Sequence, residues 1–538
     1  MTETKRIKRR MLTMDTSGQL PLVGLGEVVA APPVQVSEPS PIRFNVQDPS
    51  RILINQRPLG EHLKQIEHRA PLRIRKLLAE LSFAEFEKAY LPGGRRPYAP
   101  RDMVGVILYG IMNQLSSLRD LEKLARLDIG CWWISGGIAP DHSVIGRFIQ
   151  RHQAELTEAF FVQLTAKVLA ATGSGVDTVA GDGTIIQAAA SNYRLMRREA
   201  LEAAHKEAEE ALKSAPDDKQ QQAKVARLVE ADALLKERET ARQQRGRDAK
   251  TTLISPKEAE AVVQLQKDKK TFKAAYKPQV LANAKRVIVA CAVHPSSETK
   301  PLASLLQQAR QQGTIETALF DAGYFCDSVL ANTAALGIEL LCPEGNSLGE
   351  VWKKESSKYF PKNRFNYDQA TNSYRCPQGE TLKFIRLHKG SAQYPAYRQY
   401  GTTACGSCPL KAQCTRSKEG RRIKRYASDD EKDALRQKMR DPEVRVRYGQ
   451  RKAMVEPVFS YLRGAQGLNR FHRFGLRGVR VEFALHAMAY NLSRLLAYLR
   501  LTLLHADAPQ SCAFARQAQL LAHWLGLNRH AQKNACLT

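Results

Sequence analysis

The sequence predicts an α/β protein: a mixed core with a helical insertion and a small Cys-rich insertion, preceded by an all-helical region. Three observations predict it. Apolar residues recur at helical spacing through residues 48–173; three short runs of β-branched and small apolar residues then alternate with helical stretches; and four cysteines gather within residues 370–426.

Residues 1–47, rich in Pro, Gly, Ser and small apolar residues without a period, read as a disordered basic arm. In residues 48–173, Pro71 opens a helix through Ile74, Leu77, Leu78 and Leu81. Pro100 opens one through Met103, Ile107 and Ile111, Ser117 caps one through Leu121 and Leu124, and Pro140 and Asp141 start one carrying Val144, Ile145 and Phe148. These helices are expected either to hold DNA or to serve simply as core. The α/β core spans residues 174–500. Its β-type runs are Val176 to Gln187, Arg286 to Val293 and Thr317 to Asp321, the last followed by a helix from about Asp327 to Leu336. A helical insertion is expected over 194–275, where Leu201, Ala204, Ala208 and Leu212 share a face and Ser214 to Asp218 breaks the pattern. The last helix, through Val481, Leu485, Met488, Leu492, Leu495 and Leu499, closes the core, and residues 501–538 form a C-terminal tail.

Charge narrows the partners. The chain has 82 Lys plus Arg against 54 Asp plus Glu, a net charge of +28. Such an excess calls for a polyanion, and nucleic acid fits through counterion release from phosphates. A membrane is not expected, because the longest apolar helix carries Arg494 and Arg500. The basic N-terminus lacks the apolar segment of a secretory signal, so a cytoplasmic location is expected.

Three acids suggest chemistry. Asp182 lies between Gly181 and Gly183 in a strand, where glycines let a ligand or metal approach the backbone; Asp321 ends the third strand before Ala322 and Gly323. Either alone reads as a turn residue. Glu456 stands on a helix with Tyr448, Lys452 and Arg463 at spacings that line up along one side, and Val455, Phe459 and Leu462 form its apolar stripe. Two strand-end aspartates with a helical glutamate suit Mg²⁺ or Mn²⁺, which take oxygen ligands and can activate water against a phosphodiester.

At these residues the chain resembles the DDE transposases of bacterial insertion sequences, over about Asp48 to Leu499. The matching pieces, in order, are Arg96 to Met103 with Ser116 to Leu121; Pro140 to Phe148; Asp182 to Thr184; Asp321 to Tyr324; and Arg451 to Phe459 with Arg473 to Gly478 downstream. The resemblance implies an RNase H-like catalytic core over 174–500, with Asp182, Asp321 and Glu456 as the catalytic, metal-holding triad. It implies a helical domain over 48–173 that binds the element ends, with double-stranded DNA, both ends and target, as partner, and a homodimer bringing two ends together. Tyr448, Arg451 or Lys452, and Arg463 map onto the family's DNA-contacting pattern. Counted back from Glu456, Lys452 stands where Arg is usual, Tyr448 comes one residue early and Arg463 replaces Lys, so which of Arg451 and Lys452 meets phosphate stays open. Where the family has an acidic turn ahead of the second strand, this chain has Ser255, Pro256 and Lys257.

Within 370–426, Cys376, Cys405, Cys408 and Cys414 suit either a closed, non-catalytic tetrahedral Zn²⁺ site or reduced structural cysteines. Two other functions fit the same residues: a DNA-binding protein with a repurposed catalytic centre, and a metal-dependent nuclease without strand transfer.

Overall fold

The computed structural model describes residues 44–506 except 92, 94, 192–193, 245, 267–269, 346–358 and 391–394. The arm expected over 1–47 and the tail expected over 501–538 fall almost wholly outside the described residues.

A short hairpin, β1 (Leu53–Ile54) and β2 (Arg57–Pro58), leads into helices α1 (Leu59–Gln65), α2 (Ala70–Ala79), α3 (Ala84–Glu87), α4 (Pro100–Met112), α5 (Leu118–Leu127), α6 (Ile129–Ser135), α7 (His142–Arg151), α8 (Gln153–Thr157) and α9 (Ala159–Thr172). Their starts follow from local chemistry. Ser117 Oγ accepts the Asp120 N–H at 3.2 Å and Asp141 Oδ1 accepts that of Val144 at 2.8 Å, while Pro71 and Pro100 sit in first turns where no N–H is needed. Helix α4 is buried almost throughout and packs on the last helix of the chain.

The α/β part begins with β3 (Thr178–Gly183) and β4 (Ile186–Gln187), then the hairpin α10 (Arg198–Ser214) and α11 (Lys219–Gln244). There follow β5 (Val262–Leu265), β6 (Phe272–Asn283), β7 (Ile288–His294), α12 (Leu302–Arg310), β8 (Thr317–Leu319), α13 (Asp327–Ala335) and β9 (Glu339–Leu341). The sheet runs β7, β6, β3, β8, β9: β6 is antiparallel to both β7 and β3, while β8 and β9 run parallel to β3. The first half of β6 also pairs with β4 and β5. Thus the stretch expected to be a helical insertion, 194–275, contains the helical hairpin and also β5 and the start of β6. Strand β6, the neighbour of β3, is an addition to the three β-type runs. Lys273, Lys277 and Pro278 interrupt its apolar pattern, and Pro278 is accommodated where it pairs with Val293.

A second sheet, β10 (Asn366–Asp368), β11 (Ser373–Arg375), β12 (Thr381–His388), β13 (Tyr397–Gly401) and β14 (Ile423–Arg425), is antiparallel and includes α14 (Lys411–Cys414) in its last connection. The chain then returns through α15 (Asp429–Lys438), α16 (Pro442–Gly464) and α17 (Gly475–Ala506). One continuous apolar core runs from Ile74 in α2 through the main sheet to Leu495 in α17, so the helical region and the sheet share it. The hairpin has its own small core around Leu201, Ala208, Leu228 and Leu235, and the second sheet one of Phe365, Tyr374, Leu382, Tyr400 and Ile423.

Candidate active site

Strands β3 and β8 are parallel neighbours in register Ala180 to Leu319, so both deliver their following residues to the same sheet edge. Asp182 comes two residues after Ala180, and Asp321 two residues after Leu319. Asp182 Oδ1 accepts its neighbour's N–H, that of Gly183, at 2.8 Å. Asp321 caps the tight turn Ala322–Tyr324, its Oδ1 accepting the Gly323 N–H at 2.8 Å. Both carboxylates therefore keep Oδ2 free of hydrogen bonds among the described residues.

Arg451, in α16, joins them. Only 6% exposed, it sets Nη2 3.3 Å from Asp182 Oδ1 and 3.7 Å from Asp321 Oδ2, and donates to the Gly181 carbonyl at 3.3 Å. Burial pushes the Asp182 carboxyl above its ordinary value; Arg451 and the Gly183 N–H oppose this, and Asp321 and Glu298 add to it. The Tyr324 hydroxyl is raised by burial and then by the charges of Glu298, Asp182 and Asp321. Under Asp321, the buried Cys342 thiol donates to the Asp321 carbonyl at 3.0 Å, and burial pushes its pKa up to about 12.

The glycines around Asp182 make room for other side chains of the protein. A Cβ on Gly181 would lie 2.0 Å from Cε1 of Phe320, whose ring stacks on Tyr324 with centroids 4.7 Å apart. A Cβ on Gly183 would lie 3.0 Å from Cγ of Glu298. Phe320 and Glu298 take up the room that a side chain at either glycine would need.

Glu456 is exposed and enters no hydrogen bond or ion pair among the described residues. Seven residues, about two helical turns, separate it from Arg463, so both lie on one flank of α16. Arg463 Nη2 donates to Thr184 Oγ1 at 2.6 Å and to the Ile185 carbonyl at 2.5 Å, which lays that flank along the segment following Asp182. The next residue, Pro457, has no N–H for the Ala453 carbonyl, and Arg286 Nε takes that acceptor at 2.8 Å. The structure thus brings Asp182 and Asp321 together and leaves Glu456 on the helix beside them. Among the described residues, no group of three or more His, Cys, Asp or Glu is arranged to hold a metal ion.

The other site residues separate by burial. Arg451 is spent on the two aspartates, Arg463 on the backbone after Asp182, and Tyr448 is half-buried, whereas Lys452 is exposed without an ion pair among the described residues. Glu298 escaped the sequence reading. It sits in the polar turn between β7 and α12, accepts from Lys277 Nζ at 2.8 Å and faces Gly183. That turn has no apolar period, and only the Lys277–Glu298 charge pair across β6 and β7 hinted at it.

Away from the acids, Cys376, Cys405, Cys408 and Cys414 line one cavity of about 20 Å³. The Cys414 thiol is raised by burial, countered by Arg421, and raised further by the other three thiols, so the four feel one another. Gly420 (φ +88°) packs against Cys405, where a Cβ would lie 2.5 Å from the Cys405 Cβ.

Fold and site define a strongly basic, mixed α/β protein with two carboxylates gathered at one sheet edge. Residues 375–496 match the family described as Transposase DDE domain, and residues 60–151 match Transposase domain (DUF772). Together the two matches support a DDE transposase of an insertion sequence. No curated protein matches the chain. The DDE match implies in general terms an enzyme that cleaves or transfers DNA, with DNA as its substrate. Among the described residues, no helix is long and apolar enough to cross a membrane.

Proposed function

We propose that the protein binds the terminal inverted repeats of an insertion sequence and catalyses metal-dependent strand cleavage and strand transfer from an RNase H-like core. The observation that carries this reading is the meeting of Asp182 and Asp321 on adjacent parallel strand ends, 3.3 and 3.7 Å from one buried guanidinium. The strand order, three antiparallel strands followed by two parallel ones, supports the RNase H-like core.

Asp182 and Asp321 fit Mg²⁺ or Mn²⁺: they are hard oxygen donors, and each keeps one oxygen free of hydrogen bonds among the described residues, although that of Asp321 faces Arg451 at 3.7 Å. Glu456, on the flank shared with Arg463, is the third acid. A bound divalent cation would polarise the scissile phosphodiester and lower the pKa of an attacking water. Arg451 holds the two aspartates in fixed relation and offsets part of their mutual repulsion. Lys452, exposed one residue away, contacts a backbone phosphate, and Tyr448 and Arg463 shape the groove beside it. The helical region over 48–173 holds the element ends, two subunits pair the ends as a homodimer, and the enzyme works in the cytoplasm. Cys376, Cys405, Cys408 and Cys414 would supply a structural Zn²⁺ with four sulfur ligands; the support is that they line one cavity, while their arrangement among the described residues is not that of a closed metal site.

A second reading, a DNA-binding protein with an inactive catalytic centre, draws on one observation: among the described residues Glu456 does not join the two aspartates in a group arranged to hold a metal ion. A donor plasmid carrying both element ends, incubated with the protein and Mg²⁺, separates the two. Insertion products are expected; end binding without cleavage would establish the second reading, and cleavage without joining would reduce the enzyme to a nuclease.

A further inference from the structure

The turn between β7 and α12 has two sides. One carries Glu298 against Gly183; the other opens on a concave site of about 580 Å³ bounded by β7, α12, α17 and the junction of α8 with α9. His294, Lys300 and Arg480 line it. Lys300 and Arg480 are exposed and enter no ion pair among the described residues, although Arg480 Nε donates to the Val293 carbonyl at 3.4 Å. Burial, and then the charges of Lys300 and Arg480, hold the His294 imidazole below its ordinary pKa. The carboxylate in the lining, Glu158, is exposed at the α8 to α9 junction. Gln307 and Gln311 add exposed neutral donors on α12.

The site does not suit an added β-strand, although β7 ends the sheet on this side. The Cys291 N–H is already given to Gln308 Oε1 at 2.9 Å, and the Val293 carbonyl is taken by Arg480. What remains is an excess of positive charge, Lys300 and Arg480 against Glu158, in a concavity wide enough for a phosphate and its sugar. The registers Asp182 to Val280 and Val280 to Cys291 put His294 two strands across and three residues along from Asp182. That is roughly 14 Å at ordinary strand geometry, or about four base-pair steps of a duplex.

We propose that this concavity is a second anchor for the DNA backbone, in which Lys300 and Arg480 grip a phosphate of the same duplex whose scissile bond lies at Asp182 and Asp321, with Gln307 and Gln311 as neutral donors. The inference rests on the transposase reading and adds to it a contact beyond α16, one that fixes the direction in which the duplex leaves the acids. Phosphate contacts of this kind set register without reading sequence.

The test uses the full-length protein and a short fluorescent DNA duplex titrated over a range of salt concentrations. Lys300→Glu with Arg480→Glu is expected to weaken binding at least about tenfold and to flatten the salt dependence by about 0.9 per lost phosphate contact. Arg480→Lys, which keeps the charge without the bond to Val293, should bind like the unaltered protein. Lys213→Glu with Lys219→Glu, at the tip of the helical hairpin, alters net charge equally and should cost far less. The anchor is overturned if the Lys300 and Arg480 reversal leaves affinity and slope unchanged, if the hairpin reversal weakens binding as much, or if Arg480→Lys loses as much as Arg480→Glu. Failure of the unaltered protein to bind duplex DNA at all would instead sink the transposase reading, and the anchor with it.

Discussion

The sheet edge that carries Asp182 and Asp321 and the small sheet that carries the cysteines are built in opposite ways. The first rests on a core extending from α2 to α17, and its polar groups are fixed by neighbours packed from several elements: Phe320 under Gly181, Arg451 from α16, Cys342 beneath Asp321. The second has only Phe365, Tyr374, Leu382, Tyr400 and Ile423 as its buried apolar side chains among the described residues, with four thiols around a cavity. A core that small stabilises little by itself, which is where the proposed metal staple would contribute. The first region should therefore lose chemistry without losing structure when its polar groups change, and the second should do the reverse.

The sharpest break concerns activity. Asp182→Asn or Asp321→Asn should lower strand cleavage by about 10³-fold or more, since each removes charge at the reacting phosphate. Neither should move the thermal unfolding midpoint much, because Asn keeps an oxygen for the local N–H. A large drop in that midpoint, with residual cleavage, would reverse the contrast. Next, Cys408→Ser or removal of zinc by a chelator should render residues 359–426 sensitive to protease while the main unfolding transition persists. Zinc content, measured by mass spectrometry, should fall in parallel; a protein free of zinc with a protease-resistant second sheet would remove the staple from the argument. Smaller again, Gly181→Ala drives a methyl into the Phe320 ring and should cost about 1–3 kcal/mol, with cleavage falling as Asp182 shifts against Asp321. Denaturant unfolding and cleavage rate should then move together, unlike in the Asn variants.

The smallest expected effect concerns acid. Glu339 on β9 is opposed by burial but held down to about 2 by Arg447, Lys438 and Thr317, tying the sheet to α15 and α16. Its folded-state pKa is depressed, so its contribution is present above the unfolded value and fades as pH falls from about 4.5 toward 2. The unfolding-temperature difference between Glu339→Gln and the unaltered protein should shrink across that window, and a difference independent of pH would assign the effect to packing.

The sequence made the α/β class legible because apolar period and turn chemistry agree over long stretches. The cap at Asp141, the break after Ser214 and the buried stripe of α17 are where the pattern put them. It missed β6, whose Lys273, Lys277 and Pro278 spoil the alternation of a strand that is buried chiefly by its neighbours. Asp182 and Asp321 stood out only in combination with Glu456, since an acid near glycine alone reads as a turn residue, and the packing that calls for the glycines was not visible. Their neighbours, Phe320 and Glu298, come from distant segments that no local pattern connects. The choice between Arg451 and Lys452 could not be made from spacing, since adjacent helical residues point about 100° apart and only packing decides which is buried. The same limit hid Glu298 and the cavity beside it.

The core shared by α4, α9, β7 and α17 has a practical consequence for dissection. A fragment ending near residue 173 would expose the faces of α4 and α9 that α17 covers, and one beginning there would leave α17 bare on the opposite side. The end recognition and the catalysis proposed for the two regions are then not interchangeable modules that a deletion series can separate. Swapping the helices of residues 59–172 for those of another protein would require remodelling the last long helix at the same time.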